Sequence, residues 1–354
     1  MANSAFASRW LDAARRVGCV SPVLANPRGC PTIRGVRELF LVGPTAAGKS
    51  TLAVELAAQC NAEIVNADAF QLYRGLELLS AQPDEKARSR VSHHLFGMVG
   101  AGENMSAACY RDLALATMGA ICARGKRALI VSGSGLYVRA LTHGFDRTAP
   151  PNPELRAELS ELRHDELVGR LCQLDAEMAG RTDLRNPRRV IRAIEIAQAR
   201  HALPSEAQGC GRAASKVTRA DPSVSLLAAR DGGAFAGREK ARGVFVLRDR
   251  DDLYARINQR VNAMFEAGVE EEVARLGKPG LTAAQALGLR EIQQLLAGEI
   301  SREQCIASIQ QKTRRYAKRQ LTWFRHQTNF PQLNLTHLSQ EEAVSAIVQG
   351  FAQG

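Results

Sequence analysis

The chain has 354 residues, 45 % of them hydrophobic, enough to bury the core of one large domain or two smaller ones. Lys and Arg outnumber Asp and Glu by 47 to 36, a net charge of +11 that points to a polyanionic partner, nucleic acid first. Eight cysteines lie scattered with no C-x-x-C pair, which argues against a zinc site or a disulfide framework and fits reduced thiols in the cytoplasm; no apolar run approaches the ~18 residues of a membrane span.

Residues 1–37 carry six arginines and one acid, Asp12, and read as a disordered leader; an organelle transit peptide would share that composition. Leu39–Val42 is a short strand that turns into a glycine loop, and "STLAVELAAQC" continues as a helix with Leu52, Leu56 and Cys60 on one face. "AEIVNAD" (62–68) is a second strand running into an acid, "MSAACYRDLALATMGAICARGK" a helix closed by Gly125, and "RALIVSGSGLY" a further strand entering a glycine turn. Strand–helix alternation predicts an α/β fold, a parallel sheet flanked by helices, and the glycine loop after its first strand makes it P-loop NTPase-like. From Pro150 the chain turns charged and helical in period, and Asn186 and Pro187 announce a helix with Val190, Ile191, Ile194 and Ala197 on its buried stripe. Residues 205–243 read as a long surface loop. "GVFVLRDRDDLYARINQRVNAMFEAGVEEEVARL" gives a strand and one long amphipathic helix, "CIASIQQKTRRYAKRQLTWFR" a last helix, and the tail carries little signal. The predicted organisation is thus a basic extension (1–38), a P-loop core (39–150), a helical insertion (151–204), a loop (205–243), the rest of the core with a basic helix (244–330), and a tail (331–354).

"GPTAAGKS" (43–50) matches G-x-x-x-x-G-K-[ST] between a strand and a helix. Gly43 and Gly48 let the backbone curl so that N–H groups face an anion, and the helix N-terminus adds its partial positive charge. Lys49 reaches the outer phosphate and Ser50 can ligate Mg²⁺. A nucleotide hydrolase or kinase also needs an acid at the end of another core strand, but "RALIVSGSG" ends in serine and glycine. The strand-end acid present is Asp68. It stands where strand tips open onto the ligand crevice and can serve as a general base, an N-cap or a metal ligand. The stretch 311–325 holds Lys312, Arg314, Arg315, Lys318, Arg319 and Arg325 with no acid, which suits a phosphate backbone, and Arg188, Arg189 and Arg192 form a second basic group. Ile309, Tyr316 and Phe324 can point at the core.

With these residues in view the chain resembles the tRNA dimethylallyltransferase (tRNA isopentenyltransferase) family from about Leu39 to about Arg325. The resemblance is carried in order by "GPTAAGKS", "NADAFQLYRGL", "HHLFG", "SGSGLYVRAL", "NPRRVIRAIEI", "DLYARINQRV", "ALGLRE" and "TRRYAKRQLTWFR". It implies transfer of a dimethylallyl group from dimethylallyl diphosphate, with Mg²⁺, to N6 of the adenine on the 3′ side of the anticodon in tRNAs reading codons that start with U. Gly43, Pro44, Thr45, Ala46, Ala47, Gly48, Lys49 and Ser50 would hold the diphosphate, completed by Arg256 or Arg260. Asp68 would take the N6 proton, with Lys49 and Ser134 beside the reacting groups. Asp68, Ala69, Phe70, Gln71 and Ser134 would meet the tRNA next to the base. So would Arg156, the run Arg188, Arg189, Val190, Ile191 and Arg192, and the run Gln285, Ala286, Leu287, Gly288, Leu289 and Arg290.

The sequence departs from the family's pattern at Ala69, at Ser132 and Ser134 in place of a G-G-T turn, and at Leu289. Two other chemistries use a similar loop. An adenylate isopentenyltransferase would share the loop and the acid without needing the basic helices, and a small-molecule P-loop kinase would need a second acid. No feature points to an oligomer, so a monomer bound to a tRNA anticodon stem-loop, away from any membrane, is expected.

Overall fold

In the computed structural model the described residues are 38–144, 152–201 and 242–353. The expected leader (1–37) and nearly all of the expected 205–243 loop lie outside them. Two compact units form, Met1–Gly144 with Gly232–Gly354, and Phe145–Asp231.

The larger unit is built on six parallel strands: β1 (Glu38–Val42), β2 (Ala62–Asn66), β3 (His93–His94), β4 (Arg127–Ser132), β5 (Arg242–Leu247) and β6 (Gln332–Asn334), in the order β3-β2-β4-β1-β5-β6. The central strands read as unbroken apolar runs because both faces are covered. Leu39 and Leu41 of β1 point to one side, where α1 (Lys49–Gln59) packs with the C-terminal helix Gln340–Gln353; Phe40 and Val42 point to the other. Against that second face lie α2 (Glu77–Ser80), α4 (Ala107–Ala123) and α5 (Gly135–Thr142), while α3 (Glu85–Arg90) packs beside α1.

The smaller unit holds α6 (Pro153–Ser160), α7 (His164–Leu174), α8 (Ala176–Arg181) and α9 (Pro187–His201), closed around Leu159, Leu167, Leu171, Val190, Ile191 and Ile194. Asn186 Oδ1 accepts from the Arg188 and Arg189 amides ahead of Pro187, the cap read from the sequence. Buried Glu195 accepts from the Asn152 amide, Arg156 Nη2 (2.6 Å) and Arg192 Nη1 (3.2 Å), tying α9 to the start of α6.

The second half of the larger unit continues with α10 (Arg250–Glu266), α11 (Val269–Arg275), α12 (Leu289–Leu296), α13 (Arg302–Gln327) and α14 (Gln340–Gln353). The expected single helix after β5 is therefore two, broken where Gly268 takes φ 89°, a left-handed conformation that ends the first helix. The tail, where the sequence carries little signal, supplies edge strand β6 and helix α14, whose Ala343, Val344, Ile347 and Phe351 close one sheet face. Among the described residues no helix is long and apolar enough to cross a membrane.

Candidate active site

The parallel sheet brings the ends of β1, β2, β4 and β5 to one crevice, so the loop after β1, Asp68 after β2, Gly133 after β4 and Arg248 after β5 meet there. The P-loop turns tightly against β5. A Cβ on Gly43 would lie 2.3 Å from the Val246 carbonyl oxygen, and Gly48 adopts φ 98° as it opens α1. The first amides of α1 have no partner within the helix and face the crevice, a ready anion cradle.

Three cations surround that cradle. Lys49 Nζ donates to Pro44 O (2.7 Å), Arg260 Nη1 to Thr45 Oγ1 (2.6 Å), and Arg256 Nε to Ala46 O (3.1 Å). Burial lowers Lys49 to about 8, with Asp68 opposing and Arg260 reinforcing the drop. Burial also holds Arg260 below the usual guanidinium range. Arg256 and Arg260 thus grip the loop from two positions one turn apart on α10, and both line the cavity. Behind the loop Arg248 donates to Ala47 O (2.9 Å) and pairs with Asp252 (2.7 Å), a support the sequence reading did not single out.

Asp68 is fixed by an Asn-x-Asp arrangement. Its amide donates to Asn66 Oδ1 (2.8 Å), its Oδ1 accepts from the Phe70 amide (3.0 Å), and Asn66 Nδ2 donates to the carbonyls of Asp68 and Leu95. Oδ2 faces Gly133, 3.3 Å from where a Cβ would stand. Ser132, in place of the family glycine, is buried and donates its hydroxyl to Ala67 O (2.7 Å), while its Oγ accepts from the Ser134 amide (3.0 Å). The departure thereby pins the β4 turn to the residue preceding Asp68. Gly133, not Ser134, lines the cavity.

The cavity has a volume of about 460 Å³. Thr45, Ala46, Gly48, Lys49, Ser50, Arg256 and Arg260 line its polar side, and Leu79, Val261, Met264, Leu287 and Ile309 are apolar lining; Asp68, Phe70, Gln71, Thr313 and Tyr316 also border it. Such a space is large enough for an anion against the loop with a short apolar group and a ring beside it. Tyr316 and Thr313 were not expected here; their signal was a polar interruption of the inner stripe of α13, between Ile309 and Phe324.

Comparison with known proteins fits this geometry. The family model described as IPP transferase matches residues 71–327. The tRNA dimethylallyltransferase of Rhodospirillum centenum is 41 % identical over 298 residues, spanning 82 % of this chain and 88 % of that one. The chain belongs to the IPP transferase family. Among solved structures of the family, the tRNA isopentenylpyrophosphate transferase of Bacillus halodurans matches with a TM-score of 0.63 and 29 % identity, covering 90 % of this chain and 96 % of its own. A eukaryotic dimethylallyltransferase, solved acting on tRNA, shares the fold with a TM-score of 0.66 at 21 % identity, covering 88 % and 77 %. The adenylate-prenylating and kinase alternatives find no support among these relatives.

The residues expected to meet tRNA divide by burial. Arg188 is exposed, Arg189 pairs with Asp183 (3.3 Å), and Arg156 and Arg192 hold Glu195. Val190 and Ile191 spend their side chains in the core of the helical unit, on the buried stripe of an amphipathic helix that leaves Arg188 and Arg189 exposed. Leu289 is likewise buried in the main core, with Gly288 as the left-handed cap of α12, whereas Gln285 and Arg290 are exposed and Ala286 and Leu287 line the cavity. On α13, Lys312 pairs with Glu291, and Arg314 donates to Asn258 Oδ1 (2.7 Å) over the Tyr254 ring. Arg315, Lys318, Arg319 and Arg325 are exposed.

Proposed function

We propose that this protein moves a dimethylallyl group from dimethylallyl diphosphate to N6 of the adenine 3′-adjacent to the anticodon in tRNAs reading codons that begin with U. The observation that carries the proposal is a single cavity with an anion cradle on one side, apolar lining, and one carboxylate within it. The diphosphate rests on the first turn of α1, with Lys49, Arg256 and Arg260 around it. These groups neutralise the charge that builds on the leaving group as the allylic C–O bond breaks and its electron pair departs with pyrophosphate. The N6 lone pair forms the new bond to C1, and Asp68 accepts the proton that N6 loses. The hard-oxygen donors expected around Mg²⁺, the Ser50 hydroxyl and the diphosphate itself, suit an ion that keeps most of its waters, and it would supply further charge neutralisation there. The exposed basic faces of α9 and α13 and the stretch 285–290 support an RNA acceptor, which must turn its adenine out of the stacked loop to enter the cavity.

The test is incubation with labelled dimethylallyl diphosphate, Mg²⁺, and either unmodified tRNA or AMP. Label is expected on tRNA and not on AMP. Asp68→Ala should lose about 10²–10⁴-fold in turnover while still binding tRNA. Normal turnover in that variant would remove Asp68 from the base role, and label on AMP alone would replace the acceptor.

A further inference from the structure

The mechanism leaves a buried polar side chain beside the cavity unused. Gln320 sits on the inner face of α13, 5 % exposed, amid a run whose outer face is Arg315, Lys318 and Arg319. Its Oε1 accepts the Thr45 amide of the P-loop (2.9 Å), and its Nε2 donates to Gly133 O in the turn after β4 (2.7 Å). A Cβ on the same Gly133 would stand 3.3 Å from Asp68 Oδ2, and the hydroxyl oxygen of the same Thr45 accepts from Arg260. One turn earlier on the same helix, Tyr316 lines the cavity.

We infer that Gln320 is a positioning residue that sets the distance between the diphosphate cradle and the carboxylate that receives the N6 proton. Both halves of the reaction are linked through one planar amide. Its carbonyl oxygen holds the donor side and its N–H the acceptor side, and it is carried by the helix whose opposite face is exposed and basic. The Thr45 amide is thereby spent on Gln320 and is not available to phosphate, so Thr45 acts by holding Arg260 and the loop's shape. Loss of the amide would leave the half-buried Thr45 N–H and the buried Gly133 carbonyl without this partner and free the two walls to drift. A misplacement of about 1 Å costs on the order of 10²-fold in rate.

The inference rests on the diphosphate reading of the P-loop, and the test separates the two. Gln320→Met keeps the volume and removes both hydrogen bonds. Gln320→Glu keeps an acceptor for Thr45, and when its carboxyl is protonated it also regains a donor for Gly133. Steady-state kinetics are run from pH 5.5 to 8.5 well below each variant's melting temperature, with thermal stabilisation by inorganic pyrophosphate measured alongside. For Gln320→Met, kcat should fall about 10²-fold, with KM for tRNA and for dimethylallyl diphosphate each within about threefold and pyrophosphate still stabilising. For Gln320→Glu, kcat relative to wild type should rise as pH falls, while the Gln320→Met ratio stays flat. A wild-type kcat in Gln320→Met, a loss confined to KM, or identical pH ratios for the two variants would overturn the positioning role alone. Failure of pyrophosphate to stabilise the wild-type protein would overturn the diphosphate reading and this inference with it.

Discussion

Replacing Lys49 with methionine should make the unliganded protein more stable and leave it unable to hold a diphosphate. Burial takes the ammonium from an ordinary value of 10.5 to about 8. A tenfold change in a proton equilibrium is worth about 1.4 kcal/mol, so keeping Lys49 charged at neutral pH costs the folded state up to about 3 kcal/mol. Water in the cavity screens part of that, and methionine forfeits the bond to Pro44 O, worth about 1 kcal/mol. The expected net gain is about 1–2 kcal/mol. The sign follows from a folded-state value that lies below the unfolded one. From pH 8 up to 10.5 the unfolded chain holds a proton that the folded protein has released, so the wild-type penalty is complete below pH 8 and fades above it. Urea denaturation of both proteins between about pH 6.5 and 10, with and without inorganic pyrophosphate, reads all of this. The advantage of Lys49→Met should be greatest below pH 8 and disappear toward pH 10, and pyrophosphate should raise the midpoint of wild type only. A difference that does not vary with pH, or a less stable variant at pH 7, would refute the reasoning.

Glu63, 3 % exposed on β2, should behave oppositely. Burial raises its carboxyl, but hydrogen bonds from Arg124, His94 and Lys126 outweigh it and hold the group at about 2. Its folded value lies below the unfolded one near 4.5, so stability present above pH 4.5 is lost as pH falls toward 2, and Glu63→Gln should cost about 1–3 kcal/mol at pH 7 with the gap closing in acid denaturation curves. In the helical unit, Glu195→Ala leaves the Asn152 amide and two arginines without their acceptor, for an expected loss of about 1–3 kcal/mol by thermal melting while prenyl-donor binding persists. Arg315→Ala with Lys318→Ala should reduce the salt slope of tRNA binding by up to about 2 and leave the pyrophosphate-induced melting shift unchanged.

Much of the site was legible because its signals are local. The P-loop glycines, Lys49 and the acid after β2 sit at fixed offsets from strands that read as plain apolar runs. Edge strands β3 and β6 were not legible, since two or three residues carry no period. Helix α14 did leave traces: Ser339 and Glu342 exchange capping hydrogen bonds, and Ala343, Val344, Ile347 and Phe351 recur at helical spacing. The start of α13 was also spelled out, in the capping box of Ser301 and Gln304. Gln320 could not be found that way. Its two partners lie 275 and 187 residues away, so its importance exists only after the sheet has formed.

On the proposed reading the same geometry favours an amine over water as the acceptor. A P-loop enzyme that directs water or a hydroxyl at a phosphate needs an acid at the tip of a neighbouring strand. Here that tip is Ser132, whose hydroxyl is turned inward onto Ala67 O, followed by Gly133, whose carbonyl is taken by Gln320. The carboxylate that does enter the cavity comes from two residues beyond β2, in a space that Val261, Met264, Leu79, Leu287 and Ile309 line with apolar groups. On the proposed reading a developing allyl cation lies among those side chains, and its capture falls to an adenine amine brought in from outside, with Asp68 as the proposed acceptor of its proton. A loop that commonly serves hydrolysis is thus turned to alkylation by where one acid stands and by what lines the walls around it.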